Sequence, residues 1–250
     1  SFLLLAAMLL CYCGTAFGWG KSGHDAIAYI AECNLTPRAK RNIARYLEHS
    51  IVYYASWMDK YRDTPEFRNV EHVSYVDADM QLVDTLRKGK TNCVVELMHA
   101  IDRLKDYRNM SDSLVRLNLM YVIHIVGDMH CPSHVKYPGC KSGRADLNGK
   151  KMSYHAMWDW GVLDGAHGWS YSEYRLLLDT FSKREKAGMA KGTPREWLHE
   201  TAVACRVIYD WQRADGTYGK QFVTDTYLLP ERQLILASYR LAAVLNDLFG

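Results

Sequence analysis

Histidine and aspartate recur at a helical spacing in two short segments of the sequence. The segment YVIHIVGDMHCPSH contains His124 and Asp128, and the segment SYHAMWDW contains His155 and Asp159. Residues four positions apart lie on the same face of a helix. Neutral imidazole nitrogens and carboxylate oxygens are zinc ligands, and a rigid helix face holds two of them in place. These two pairs therefore predict metal-binding sites.

Two more histidines support a metal-binding interpretation. His134 follows Asp128 beyond Pro132, which should end the helix, and His24 lies near the start of the chain. A single His-x-x-x-Asp pair is more often a surface ion pair or a hydrogen-bonded core histidine. Two such pairs with two further histidines are much harder to assign to packing.

The beginning of the chain has the pattern of a secretory leader. Residues 2–13 form an uncharged, largely apolar run that is too short to span a bilayer comfortably. Ala16-Phe17-Gly18 is a small-x-small pattern, which predicts cleavage between Gly18 and Trp19. The alternative is a buried N-terminal helix. We expect a signal peptide over 1–18 and a mature chain over 19–250 that is exported to the periplasm or the extracellular space, without stable membrane insertion.

Length and composition fit one globular domain. The chain has 250 residues, of which 48% are hydrophobic and 24% charged. Its formal net charge of +3 is too weak to mark a protein that holds duplex DNA electrostatically, although it does not disfavour an anionic substrate. A monomer is the default expectation.

The elements that must position these residues are mostly helical. Thr36-Pro37 predicts a helix that begins at Pro37 and runs to about His49, and a long helix that contains His124 should follow Ser111 or Ser113. Further helical patterns cover 94–107, 172–185, 194–212 and 231–248. The stretch 131–151, rich in Gly, Pro, Ser and Lys, is predicted to be non-helical. The fold class predicted is all-α, with a single domain.

Export has a consequence for the cysteines. Cleavage would leave Cys33, Cys93, Cys131, Cys140 and Cys205. Exported proteins usually keep cysteines as disulfides, and an odd number leaves at least one unpaired. Cys131 and Cys140 are close enough in sequence to bridge one loop, and the other pairing stays open.

On these residues the chain resembles the S1/P1 nucleases, secreted zinc-dependent enzymes whose all-α fold is shared with zinc-dependent phospholipase C. The resemblance covers essentially the whole mature chain. It rests on Trp19 and His24, Ser56-Trp57-Met58-Asp59, His72, His124 with Gly127-Asp128-x-His130-x-Pro132-x-His134, and His155-x-x-Trp158-Asp159.

The resemblance implies three zinc ions. One would be held by Asp59, His72, His124 and Asp128, and the third by His134, His155 and Asp159, with open positions for water and substrate. The second would take His24, the α-amine and carbonyl of Trp19, and Asp128 as a bridge. Because an amide nitrogen is a poor donor where a free amine is a good one, Trp19 is a plausible ligand only after the leader is removed. Export would then activate the enzyme.

The resemblance also implies the reaction and its machinery. Single-stranded DNA and RNA would be cut at the P–O3′ bond to leave 5′-phosphates, with 3′-nucleotides as further substrates. Asp59 and Arg62 are the catalytic candidates, since Arg62 follows Asp59 by one helical turn and could orient it and steady charge on phosphorus. The alternative is a surface arginine in an i, i+3 pair. His130 is not a ligand in the family and is expected to be structural.

Two features depart from the family pattern. The run His72-Val-Ser-Tyr-Val-Asp77 is two residues longer than usual, so the base-contacting carboxylate is in doubt and Asp77 is its candidate. The loop between His134 and His155 is basic. We interpret it as a guide for the phosphates of single strands, with stacking surfaces on tyrosine, although charge-rich loops are more often merely solvated. Its residues are Lys136, Tyr137, Lys141, Arg144, Lys150, Lys151 and Tyr154.

Two other functions stay open at this point. A zinc-dependent phospholipase C shares the fold and the N-terminal Trp, but its motif ends in His-x-x-x-Glu, where this chain has Asp159. An exported, non-catalytic zinc-binding helical protein is the second alternative. The complete set of ligand positions argues against it.

Overall fold

The structure, a computed structural model, describes residues 19–84 and 90–250. The predicted signal peptide over 1–18 therefore lies outside the described residues. The helices are α1 Lys21–Cys33, α2 Pro37–Ile43, α3 Ile51–Tyr54, α4 Trp57–Lys60, α5 Cys93–Leu104, α6 Asp112–Asp128, α7 Tyr154–Ala156, α8 Val162–Ala166, α9 Tyr171–Leu178, α10 Lys183–Met189, α11 Pro194–Cys205, α12 Lys220–Thr226 and α13 Leu228–Phe249. The strands are β1 Ser74–Tyr75, β2 Val135–Lys136, β3 Arg144–Leu147, β4 Lys150–Ser153 and β5 Thr217–Tyr218. The predicted all-α class is confirmed, because the strands are short additions to a helical body.

Helix α6 is the central element. It begins after Ser111, one of the two predicted caps, and every residue from Asn118 to Asp128 is buried. A helix that is buried on all sides must be surrounded by other elements, and α5, α13, α4 and α1 pack against it. His124 and Asp128 therefore project from the inner end of a helix held rigidly by its neighbours.

Helix α1 is held in place by a long apolar face. Ala26, Ile27 and Ile30 are buried, and α1 packs extensively against α13, α9 and α3. This packing brings His24, in the first turn of α1, beside α6. The N-terminal ligand candidate thus reaches the middle of the molecule.

Three helix boundaries differ from the predictions. The helix predicted over 172–185 is two helices, α9 and α10, since Ser182 caps a new helix through a capping box with Glu185. The helix predicted over 194–212 ends at Cys205 and continues as a 3₁₀ turn over Arg206–Tyr209. The helix expected to run from Pro37 to about residue 49 ends at Ile43.

The predicted non-helical stretch 131–151 contains three strands. Strand β2 pairs in parallel with β1, with Ser74 opposite Val135. Because His72 lies just before β1 and His134 just before β2, this pairing sets the two histidines side by side.

Strands β3 and β4 form an antiparallel hairpin that leads directly into His155. Their connection is the two-residue turn Asn148–Gly149, with φ of 55° and 84°. A turn of this kind requires positive φ at both central residues, which Asn and Gly tolerate best. Strand β5 adds in parallel to β3, and the sheet covers a small second core around Tyr154 and Trp158.

Two remaining sequence expectations concern the membrane and the cysteines. Among the described residues, no helix has both the length and the apolar composition needed to cross a bilayer. In the same part of the chain all five cysteines are free thiols. The expected bridge between Cys131 and Cys140 is not formed, because the Cys131 sulfur is buried and points at Asp159 instead.

Candidate metal centre

Four predicted ligands meet where α4, α6 and the segment before β1 converge. His72 Nδ1 lies 3.1 Å from Asp128 Oδ2 and 3.4 Å from Asp59 Oδ1. His124 Nε2 lies 3.0 Å from the same Asp128 oxygen and 3.1 Å from His72 Nδ1. Donor atoms at these separations can share one cation. Asp59, His72 and His124 form one of the groups in which a metal ion could be held.

A second group forms on the other side of Asp128. His24 Nε2 is 3.3 Å from Asp128 Oδ1, and its ring stacks on His124 with centroids 4.2 Å apart. His24, His124 and Asp128 form a second candidate metal group, so Asp128 has one oxygen on each side, as the predicted bridge requires. Trp19 is fully buried beside this group, and its indole Nε1 donates to the Gly127 carbonyl at 2.8 Å.

A third group lies between the turn after α6 and a π-helical turn at Met157–Gly161. His134 Nε2 is 3.3 Å from Asp159 Oδ1, and His155 Nε2 is 3.2 Å from Asp159 Oδ2. The two imidazole rings stack with centroids 4.8 Å apart. Cys131, which the sequence analysis did not assign to the site, joins His134 and Asp159 in this group. The position of Cys131 in this group is visible only in the folded turn, since a single cysteine has no characteristic spacing that would mark it as a metal ligand.

Backbone carbonyls fix the tautomers of three histidines. His124 Nδ1 contacts the Ala55 carbonyl at 2.7 Å, His134 Nδ1 that of His72 at 2.6 Å, and His155 Nδ1 that of Ser133 at 3.1 Å. A carbonyl only accepts hydrogen bonds, so each Nδ1 must carry the proton. In the neutral ring, the form that binds a metal ion, each Nε2 then has its lone pair toward the carboxylates. Such partners behind the ring orient the histidine ligands of metal ions.

Buried polar atoms without hydrogen-bond partners mark where cations fit. Nearly all buried polar groups in native proteins are hydrogen-bonded. Several of the exceptions among the described residues lie on the predicted ligands: His24 Nε2, Asp59 Oδ1, Asp128 Oδ1, His134 Nε2 and Asp159 Oδ2. Their convergence in three groups fits bound metal ions, and nitrogen and carboxylate donors suit zinc.

The ionised carboxylates of the cluster also favour bound cations. Burial alone would raise the pKa of Asp128, but the charges of His124 and His134 hold it well below its usual range. The pKa of Asp159 is likewise held at about 2, against the effect of burial, by His134 and His155. Burial would lower the pKa of His124, yet Asp128 and Asp59 raise it to about 9. Both aspartates are therefore ionised at neutral pH and attract positive charge.

His130 lies inside the same motif but is not directed at the cluster. Its Nδ1 contacts the Val126 carbonyl at 2.7 Å, and its Nε2 accepts from Arg240 at 2.8 Å. Burial and the Arg240 charge lower the pKa of His130 to about 3. Both nitrogens of this neutral ring are engaged, so it joins α6 to α13 rather than binding a cation.

Two surface cavities meet at Arg62 and Asp63. One, of about 410 Å³, is polar and is lined by His72, His134 and His155 with Lys136. The other, of about 720 Å³, has Asp59 in its lining. Arg62 is 29% exposed, with its Nη2 3.8 Å from Asp59 Oδ1. The guanidinium therefore lies beside the carboxylate of Asp59, a candidate ligand, and faces both cavities.

The larger cavity is lined by aromatic side chains and by charged side chains of both signs, including Asp25, Asp59 and Asp63 beside the basic residues. Tyr53 is 54% exposed and Tyr171 is 42% exposed, and Trp57 lies between Tyr53 and Tyr61 with ring centroids 5.7 Å and 5.0 Å away. Lys21 and Lys60 complete its polar edge. Trp57 was noted only as part of the motif before Asp59, and no sequence pattern connects it with Tyr53 and Tyr171, because the three residues come from three different helices.

The predicted substrate-binding residues are only partly brought together. Lys136 lines the cavity beside His134, whereas Lys141 and Arg144 are exposed and lie outside its lining. The Asp77 carboxylate accepts from the main-chain amides of Asp79 and Gln81, each at 2.9 Å, so it stabilises its own turn.

The predicted tyrosine stacking surfaces are wrong. Tyr137 is 6% exposed and donates its hydroxyl proton to the Ala202 carbonyl, and Tyr154 is 1% exposed in the second core. Neither ring presents a face to a base. Both rings are buried by tertiary packing, so they are not available for stacking on a base. The local sequence does not reveal that burial.

The family model described as S1/P1 Nuclease matches residues 19–250. This chain belongs to the S1/P1 nuclease family. Membership identifies it as an enzyme of the endonuclease class, and it decides for the nuclease over the phospholipase and the non-catalytic protein.

Individual relatives within the S1/P1 nuclease family are distant, and their matches cover from about three quarters to nearly all of the chain. Endonuclease 2 of Arabidopsis thaliana is 25% identical over 280 residues, which cover 99% of this chain and 96% of the relative. Nuclease S1 of Aspergillus oryzae is 27% identical, covering 78% of this chain and 72% of that protein. Nuclease P1 of Penicillium citrinum is 24% identical, covering 93% and 98%.

Proposed function

We propose that this member of the S1/P1 nuclease family is an exported trinuclear-zinc endonuclease. It cuts single-stranded DNA and RNA at the P–O3′ bond, leaves 5′-phosphates, and also removes phosphate from 3′-nucleotides. The observation that carries the proposal is the set of partnerless nitrogen and carboxylate atoms converging in three groups beside Arg62.

The proposed ligand sets are those that the family resemblance implies, and each overlaps one of the three groups. Asp59, His72, His124 and Asp128 hold one zinc; His24, Asp128 and the Trp19 main chain hold a second; His134, His155 and Asp159 hold a third. When bound, zinc polarises a phosphoryl oxygen, supplies a nucleophile from water near neutral pH, and neutralises the leaving 3′-oxygen.

Arg62 and Lys136 bind the phosphate in this proposal. The planar guanidinium of Arg62 can donate two parallel hydrogen bonds to two oxygens of one phosphate. Lys136 is a point charge on the wall of the smaller cavity, where its Nζ also donates to the Ser133 carbonyl at 3.3 Å. Together they hold the scissile phosphate against the carboxylate cluster.

The larger cavity receives the unpaired bases. Bases stack on aromatic side chains without strong sequence preference, while basic residues follow the backbone. Tyr53, Trp57 and Tyr171, with Lys21 and Lys60, provide both features next to Asp59. In a duplex the bases are already stacked and paired, so this cavity favours single strands.

The test of the reaction uses purified chain loaded with zinc and a matched Asp128→Asn variant. We expect cleavage of single-stranded DNA and RNA into fragments with 5′-phosphate and 3′-hydroxyl ends, release of phosphate from 3′-nucleotides, and loss of both in the variant. Fragments with 3′-phosphates would contradict the assigned bond. Hydrolysis of phosphatidylcholine without cleavage of nucleic acid would contradict the substrate class.

The role of Trp19 has its own test. Protein that begins at Trp19 should bind one more zinc ion than a variant with a single glycine ahead of Trp19, because the added residue converts the free amine into an amide. N-terminal sequencing and metal analysis of the same samples provide the measurement. Equal zinc content in the two samples would remove the α-amine from the ligand set.

A further inference from the structure

The turn after α6 carries two side chains that the proposed reaction does not use. Cys131 and Ser133 flank Pro132 in this turn; they are 0% and 3% exposed. Ser133 Oγ donates to Asp159 Oδ1 at 2.5 Å, and Cys131 Sγ donates to the same oxygen at 3.2 Å. Both donors therefore act on one oxygen of a predicted ligand.

The other Asp159 oxygen is left without a hydrogen-bond donor. Asp159 Oδ2 is buried and lacks a hydrogen-bond partner, and it faces His155 Nε2 at 3.2 Å. A carboxylate can bind a cation through one oxygen or both. Asp159 Oδ1 is engaged by a hydroxyl and a thiol and faces His134 Nε2 at 3.3 Å, whereas Oδ2 faces His155 Nε2 without any hydrogen-bond donor. The two donors on Oδ1 therefore hold the carboxylate between the two imidazole nitrogens.

Ser133 also acts through its main chain. Its carbonyl accepts from His155 Nδ1 at 3.1 Å, and the next residue in the chain is His134. The 3₁₀ turn over Pro132–His134 holds the residue in place. Ser133 thus adjoins all three ligands of the third group.

We propose that Ser133, assisted by Cys131, is a positioning residue for the third zinc. By engaging Oδ1 of Asp159 it fixes the orientation of the carboxylate between His134 and His155 and leaves Oδ2 free of other hydrogen-bond donors. Residues of this kind orient the ligands and raise metal affinity. The inference rests on the metal-binding part of the proposed function, but its readout is metal affinity, not nuclease activity.

The experiment compares zinc content and affinity, measured by competition with a chelator, in five variants of the mature chain. Ser133→Ala removes the hydroxyl, Ser133→Thr keeps it, and Cys131→Ala removes the thiol. The matched controls are Ser238→Ala, which removes a buried hydroxyl that donates to the Leu234 carbonyl, and Cys205→Ala, which removes a buried thiol.

We expect Ser133→Ala to weaken one zinc by about 10- to 100-fold and leave the other two unchanged. Ser133→Thr should restore affinity, Cys131→Ala should have a smaller effect because a thiol is a weak donor, and both controls should bind as the parent does. Equal weakening of all zinc ions, or no difference between Ser133→Ala and Ser238→Ala, would overturn the proposal.

Cobalt substitution separates positioning from direct ligation by Cys131. A thiolate bound to Co²⁺ gives a strong near-ultraviolet charge-transfer band, so we expect no band that depends on Cys131. A band that disappears in Cys131→Ala would make the thiolate a ligand and overturn its assignment as a hydrogen-bond donor. A parent chain that binds only two zinc ions would instead refute the trinuclear centre itself.

Discussion

The candidate ligand residues could be named from the sequence, while the atoms that orient them could not. His124 with Asp128 and His155 with Asp159 are visible because four-residue spacing on a helix is a local property. The carbonyl of Ala55 behind His124 is 69 positions away in the chain. Such partners, and the Ser133 hydroxyl on Asp159, arise only when distant turns pack together.

Arg62 provides the prediction at this scale. Arg62→Ala should lower kcat for single-stranded DNA by about 10²–10³-fold, since it removes a donor directed at developing phosphate charge. Arg62→Lys should recover part of the rate, because it restores a point charge but not the planar pair of donors. Steady-state kinetics with metal analysis of each variant is the measurement. Zinc content should not change, and Arg38→Ala on the exposed face of α2 should behave as the parent.

If Arg62→Ala loses zinc together with activity, the arginine holds the cluster together and the assignment to phosphate is wrong.

Elements bring the ligands together through close approaches that only small residues permit. Gly127, in the last turn of α6, faces the ring of His24. A Cβ at this position would lie 2.9 Å from His24 Nδ1 and 3.1 Å from Cε1. The absence of a side chain at residue 127 thus lets α1 and α6 approach closely enough for His24 to reach Asp128.

We predict that Gly127→Ala displaces His24 and weakens the second zinc. The added methyl should also lower the free energy of unfolding by about 1–3 kcal/mol, the usual cost of overpacking a core. Chemical denaturation and metal analysis measure the two effects. Gly188→Ala in α10, where a Cβ meets nothing within 4 Å, is the matched control. A Gly127→Ala protein with full zinc content would show that His24 does not depend on this approach.

Sequence patterns predicted the elements wherever apolar periodicity was strong. Helix α6 follows its predicted cap and α13 follows its leucine pattern. The break between α9 and α10 was missed, although Ser182 with Glu185 is a capping signal, because the periodicity continued across it. The β3–β4 hairpin was missed although Asn148-Gly149 is a strong turn signal. Arg144–Leu147 alternates but has only four residues, and Lys150–Ser153 is rich in charge and mostly exposed, without alternation.

At the scale of the whole molecule, the surface around the cluster is divided between a polar cavity and an aromatic one. The basic loop was predicted to form the guide, and only Lys136 of that loop lines the polar cavity. The aromatic cavity collects Tyr53, Trp57 and Tyr171 from α3, α4 and α9. No local pattern predicts that arrangement, since it depends on how three helices pack.

Tyr53→Ala tests the aromatic cavity. We expect KM for a single-stranded oligonucleotide to rise about 10-fold, the usual loss of one stacked base, with kcat and the hydrolysis of 3′-nucleotides little changed. Phe181→Ala is the control, because this ring is 37% exposed but lies elsewhere on the surface. A fall in kcat at constant KM would assign Tyr53 to the chemical step instead of to base binding.

The wide separation of the ligands along the chain has a consequence for folding kinetics. His24 lies in the first described helix and Asp159 in a turn beyond the middle of the chain, so long loops must close before these donors meet. Local pairs such as α5 with α6 form without that closure. Zinc ions held by donors from distant parts of the chain therefore stabilise the native state but not the transition state for folding. Zinc should slow unfolding and leave the rate of refolding nearly unchanged, so that bound metal prolongs the lifetime of the folded enzyme.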